Sequence, residues 1–134
     1  MGEAYLFRKR FQEAHALKRA QDDWCEAAIR LNSTHAGSKG RVRLDEPFPE
    51  SLDLESLVAL MRHKVKLNVH CYLPQDIEAM VRHSLEFDFD IAAFHHALSA
   101  WQVPDIIKRA KTNITIATFG GMWYNDQLSF HILC

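Results

Sequence analysis

Val65-Lys66-Leu67-Asn68-Val69-His70, a helix opened by Pro74, and Ile91-Ala92-Ala93-Phe94-His95 together decide the fold. The first run alternates apolar and polar residues with the period of two that a half-buried strand requires, and the last is an apolar run of strand length. Between them, Pro74 suits the first turn of a helix, Asp76 and Glu78 sit near the positive end of its dipole, and Ile77, Met80, Val81 and Leu85 supply an apolar stripe. Strand, helix and strand in that order predict a βαβ unit with parallel strands.

The pattern continues outward on both sides. Leu54, Leu57, Val58 and Met61 mark a short helix before the first strand. Downstream, Trp101 to Ala110 reads as a helix with Pro104 near its start, and Asn113-Ile114-Thr115-Ile116-Ala117-Thr118 as a β-branched third strand. The expected fold is α/β, with three adjacent parallel strands joined by right-handed crossovers. Further upstream, Glu3 to Leu31 contains no Gly or Pro, and Phe7, Phe11, Ala14, Leu17, Trp24 and Ala28 recur near helical spacing. The chain therefore divides into a long helix over 1–31, a Gly/Pro-bearing loop over 32–52, βα units over 53–119 and an irregular tail over 120–134.

Composition narrows the function classes. Sixteen basic and seventeen acidic residues leave a formal charge of −1, so no summed field draws the whole chain to nucleic acid or to an anionic membrane. No apolar run reaches the ~20 residues that span a bilayer, and the basic start lacks the apolar middle of a signal peptide, which sets the expectation of a cytosolic protein. Cys25, Cys71 and Cys134 are odd in number and widely spaced, so reduced thiols are expected, not a disulfide framework.

Two predicted strands end in histidine. In parallel α/β folds catalytic groups gather at the C-terminal strand ends, so His70 and the His95-His96 pair would converge on one end of the sheet. Neutral imidazole is a good zinc ligand, and the arrangement suits metal-activated hydrolysis; bonding of each ring to a backbone carbonyl or to solvent is the competing reading. His15, His35, His63, His83 and His131 lie on charged helix faces, in the loop or in the tail, and are expected at the surface.

The strings Val69-His70-Cys71-Tyr72, Asp76-Ile77-Glu78-Ala79-Met80 and Ala93-Phe94-His95-His96-Ala97-Leu98 resemble the central barrel strands of the amidohydrolase superfamily, in the branch that includes imidazolonepropionase-like enzymes. The resemblance extends from Gly2-Glu3-Ala4-Tyr5 to the strand ending near Phe119. It implies a partial (β/α)8 TIM-type barrel, about half of one, because a complete barrel takes roughly 250 residues. It implies that His70 and His96 match the metal-binding histidines of the fifth and sixth barrel strands. Strand alternation then turns His95 to the other face. The resemblance also points to Glu3 as a metal-bridging carboxylate, against a plain first-turn glutamate, and to Trp101 as a pocket wall, against an ordinary packing aromatic.

Departures from the family pattern matter as much. No His-x-His occurs, and Asp126 follows Thr118 too closely for a crossover helix and a further strand to place it as the catalytic aspartate. The leading expectation is a fragment of a metal-dependent amidohydrolase, with zinc as its divalent metal, that acts in its complete form on a small amide-like substrate and is inactive as a fragment. Its unpaired strand edges are expected to promote self-association. The alternative is a non-catalytic α/β protein derived from such an enzyme and serving as partner or regulator. A nucleotide-binding domain is disfavoured, since no Gly-x-Gly-x-x-Gly or Walker loop follows a predicted strand.

Overall fold

A computed structural model describes residues 2–34 and 46–118; the tail expected over 120–134, and with it Asp126, His131 and Cys134, lies outside the described residues, as do His35 and most of the expected loop. Helix α1 runs from Gly2 to Thr34, three residues beyond the sequence expectation, and is followed after the loop by α2, Glu55–Met61. Then come β1 (Leu67–His70), α3 (Pro74–Phe87), β2 (Ile91–His95), a one-turn 3₁₀ helix (Ala100–Gln102), α4 (Pro104–Ile107) and β3 (Thr115–Ala117). The single helix expected over Trp101–Ala110 is thus two short pieces, because Pro104 has no N–H to continue the first turn and restarts a helix of its own.

The three strands form one parallel sheet in the order β1-β2-β3, as the βαβ pattern predicted. The register aligns Asn68 with Ala93 and Thr115, Val69 with Phe94 and Ile116, and His70 with His95 and Ala117. Side chains alternate along each strand, so the Val69–Phe94–Ile116 row faces one side and the other two rows face the opposite side. The first row is the covered one: Phe94 is fully buried and Ile116 nearly so. On the other face Asn68, His70 and Thr115 are exposed.

Helix α1 docks on this unit through Phe11 and Ala14. The Phe11 ring stacks on Phe89 at 4.9 Å between centroids and lies 5.6 Å from Phe87. Ion pairs fix the rim: Arg8 grips Glu86 at 2.7 Å, and Asp22 is shared by Arg62 at 2.7 Å and Lys18 at 2.9 Å. Hydrogen bonding from Lys18, with Arg62 adding to it, holds the Asp22 carboxyl below its usual range.

Helix α3 corrects two expectations. Leu85 is 40% exposed, whereas His83, expected at the surface, is 5% exposed. At about 100° per residue, Ser84 returns to within about 20° of Ile77 around the helix and Leu85 stands about 80° away, so Ser84 takes the buried stripe and Leu85 is turned out. His83 lies on the flank that α1 covers, with Phe11 5.8 Å from its ring centre. His15 and His63 are exposed as expected.

Candidate functional site

Strand β1 ends at His70 and β2 at His95, at the same C-terminal edge of the sheet. His70 and His95 are register partners, so both imidazoles stand on the open face, 5.1 Å between centroids. The His95 Nε2 lies 3.3 Å from the Asn68 amide oxygen, two residues before His70 on that face. His96 reaches the same place by a different route: it adopts a left-handed backbone, φ 57°, and its N–H donates to the Ala117 carbonyl at 2.8 Å. Its ring lies 5.3 Å from His70 and 5.9 Å from Tyr72.

The expectation that alternation would turn His95 away therefore fails, for a physical reason. Strand geometry ends at His95, and the positive φ at His96 breaks the up-down order that would have separated the two rings. His70, His95 and His96 all meet at one strand end. Sequence reasoning missed Asn68 and Tyr72. The signal for Asn68 was present in the period of two that carries His70; Tyr72 lies past the strand, where no period applies.

The other candidates stand apart. Glu3 lies in the first turns of α1, and its side chain is outside the described residues. Trp101 is 71% exposed on the 3₁₀ turn, so it is not a packing aromatic of the core. Cys71, just past His70, is buried; desolvation, with the Asp76 charge adding to it, pushes its thiol up to about 11, which leaves it protonated and unreactive at neutral pH. Cys25 and Cys71 are both free thiols.

Two imidazoles on a shared tetrahedral zinc, each nitrogen at about 2.0–2.1 Å, hold their ring centres about 5 Å apart, so the spacing of His70 from His96 fits two ligands of one ion. The two ring planes are 28° apart. Among the described residues no group of three or more His, Cys, Asp or Glu side chains is arranged to hold a metal. The described residues at this strand end therefore do not form a closed metal site.

No family model matches the chain. A protein named Amidohydrolase tasK, from Hapsidospora irregularis, is 49% identical to it over 109 residues, or 81% of this chain. The chain spans 10% of that relative's length. Among solved structures, an amidohydrolase from Thermotoga maritima MSB8 superposes with a TM-score of 0.53 at 17% identity, covering 87% of this chain and 26% of that one. At that identity the likeness concerns the fold. No described helix is long and apolar enough to cross a membrane. Over most of its length, then, in sequence and in fold, this chain is a relative of amidohydrolases, as its strand-end histidine strings implied.

Proposed function

We propose that this chain is a section, about half, of a TIM-type amidohydrolase barrel, and that its complete form hydrolyses C–N bonds of small linear or cyclic amides. The carrying observation is the meeting of His70 and His96, 5.3 Å apart, at the C-terminal end of adjacent parallel strands. A divalent ion there, zinc by the nitrogen donors, would supply a polarised carbonyl and a water acidic enough to attack at neutral pH. The part played by this chain is to hold. His70 and His96 are the ligands, Glu3 is the carboxylate proposed to join them, and Trp101 is proposed to wall the substrate side.

Asn68 positions the cluster from beside it. Its amide oxygen accepts from His95 Nε2, which fixes the tautomer of that ring and keeps it beside His70. His95 thereby becomes the reserve nitrogen of the site, as near to His70 as His96 is. The His-x-His pair of the family pattern does not occur in the sequence, and the chain by itself is proposed to be inactive, cytosolic and prone to self-association through the edge of β1.

The test combines zinc titration followed through histidine ring NMR signals, the size of the protein in solution, and hydrolysis assays on linear and cyclic amides. The expected outcome is weak zinc binding that shifts His70 and His96 signals, a loss of at least tenfold in affinity on His70→Ala or His96→Ala, and no turnover. A monomer that retains stoichiometric zinc and hydrolyses an amide would overturn the inactivity, and a zinc response unchanged by both variants would overturn the ligand assignment.

A further inference from the structure

At the outer edge of β1, lined by residues of both faces of that strand, a cavity of about 350 Å³ lies between α1, α3 and β1. Phe7 and Phe11 of α1, Leu57 of α2, Val69 of β1 and Met80 of α3 give it an apolar wall. His83 lines it too, and both its ring nitrogens are buried with no side-chain partner, only the Ala4 backbone acting on the ring. A buried polar group left unpaired is costly, and in native proteins it calls for a specific account. Phe11 and Phe87, 5.8 and 6.4 Å from the His83 ring centre, confine the imidazole.

The chemistry of the wall defines the ligand. Desolvation keeps the His83 ring neutral, lowering its pKa against the opposing pull of Glu86 and of the Ala4 backbone, so it offers one donor and one acceptor. Glu86 is already engaged by Arg8 at 2.7 Å, and the exposed Asp76 at the cavity's border disfavours anions. An anionic guest would lose its hydration with no counter-ion inside, and Asp76, the one carboxylate of the lining, is exposed at the border. The volume is more than twice the ~150 Å³ that accommodates benzene and lies at the lower end of ligand pockets, roughly 300–1,000 Å³. We propose that this cavity binds a small uncharged bicyclic aromatic bearing one hydroxyl, with the hydroxyl on a His83 ring nitrogen and the rings among Phe7, Phe11 and Met80.

The site differs in kind from the strand-end histidines and shares with them Asn68 and His70 at the β1 edge. The probe is 2-naphthol, with naphthalene as the analogue lacking the hydroxyl, titrated against the full chain by NMR. Naphthol is expected to bind at least tenfold more tightly than naphthalene and to shift the His83 ring signals. His83→Phe should weaken naphthol at least tenfold and leave naphthalene within about threefold. Ala79→Phe, which fills the cavity from α3 while keeping His83, should abolish both, and each variant is checked for native circular dichroism. Equal binding of the two probes, naphthol binding undiminished by His83→Phe, or no binding to the folded chain would overturn the proposal. So would loss of binding as the protein dimerises, which would assign the groove to a second copy. Because the readout is the His83 signal, failure here leaves the zinc response of His70 and His96 untouched.

Discussion

His83 shows how a single side chain can set a pH dependence. Its folded pKa is depressed by burial, so between that value and the ordinary histidine value of about 6.5 the unfolded chain binds a proton that the folded chain refuses. The stability from a neutral His83 is therefore complete above about pH 6.5 and is lost as pH falls below it through the folded value. Glu86, held below the usual carboxylate range mainly by its hydrogen bond from Arg8, acts in a lower window, so the two contributions separate. The parent chain is expected to lose Tm between pH 7 and 5, and His83→Leu should abolish that decline while leaving the one below pH 4 in place. Thermal unfolding across that range checks it, and an unchanged slope from pH 7 to 5 would assign the decline to other groups. None of this was legible in the sequence: Arg82-His83 reads as a charged pair on a solvent face, and only the docking of α1 buries the ring. His96 was half legible. Its place at the strand end followed from the pattern, but the left-handed turn that brings its ring to His70 is not encoded by a residue that demands it, although histidine enters that region more readily than most.

At the scale of elements, strands and helices were largely readable because two periods do the work. The alternation from Val65 to His70 and the apolar run from Ile91 to His95 specify strands, and Pro74 specifies where α3 begins. Boundaries failed where backbone chemistry intervenes, as at Pro104, and the third strand contracted from the six residues expected to Thr115–Ala117. The covered face of the sheet depends most on Phe94, which is 0% exposed and occupies the middle of the Val69–Phe94–Ile116 row. Phe94→Ala should cost about 3–5 kcal/mol, since it removes the ring and leaves a void between sheet and helices. Urea unfolding with an unchanged m-value checks this, and a loss below about 1.5 kcal/mol would mean that the neighbouring elements collapse into the space.

Among the described residues the whole is a three-stranded sheet covered on one side only. That open side carries Asn68, His70 and Thr115, polar residues that tolerate water, while the most exposed large apolar groups of the described residues, Leu52, Trp101, Ile29 and Tyr5, lie off the strands. The three-histidine meeting point could be anticipated because parallel topology brings successive strand ends together, whereas the membership of the cluster could not, because it depends on one backbone dihedral. The pairing of the sheet has a consequence in time as well as in space. Among the described residues β2 has a neighbour on both sides and β1 on one, so the strand that carries His95 is clamped while the strand that carries His70 is free to fray. In deuterium, β2 amides such as Phe94 should be the last to exchange and should track global unfolding, whereas β1 amides exchange earlier through local opening. If β1 proves as slow as β2, its edge is covered in solution. Where the order holds, one half of the histidine cluster serves as a fixed post and the other as a swinging gate.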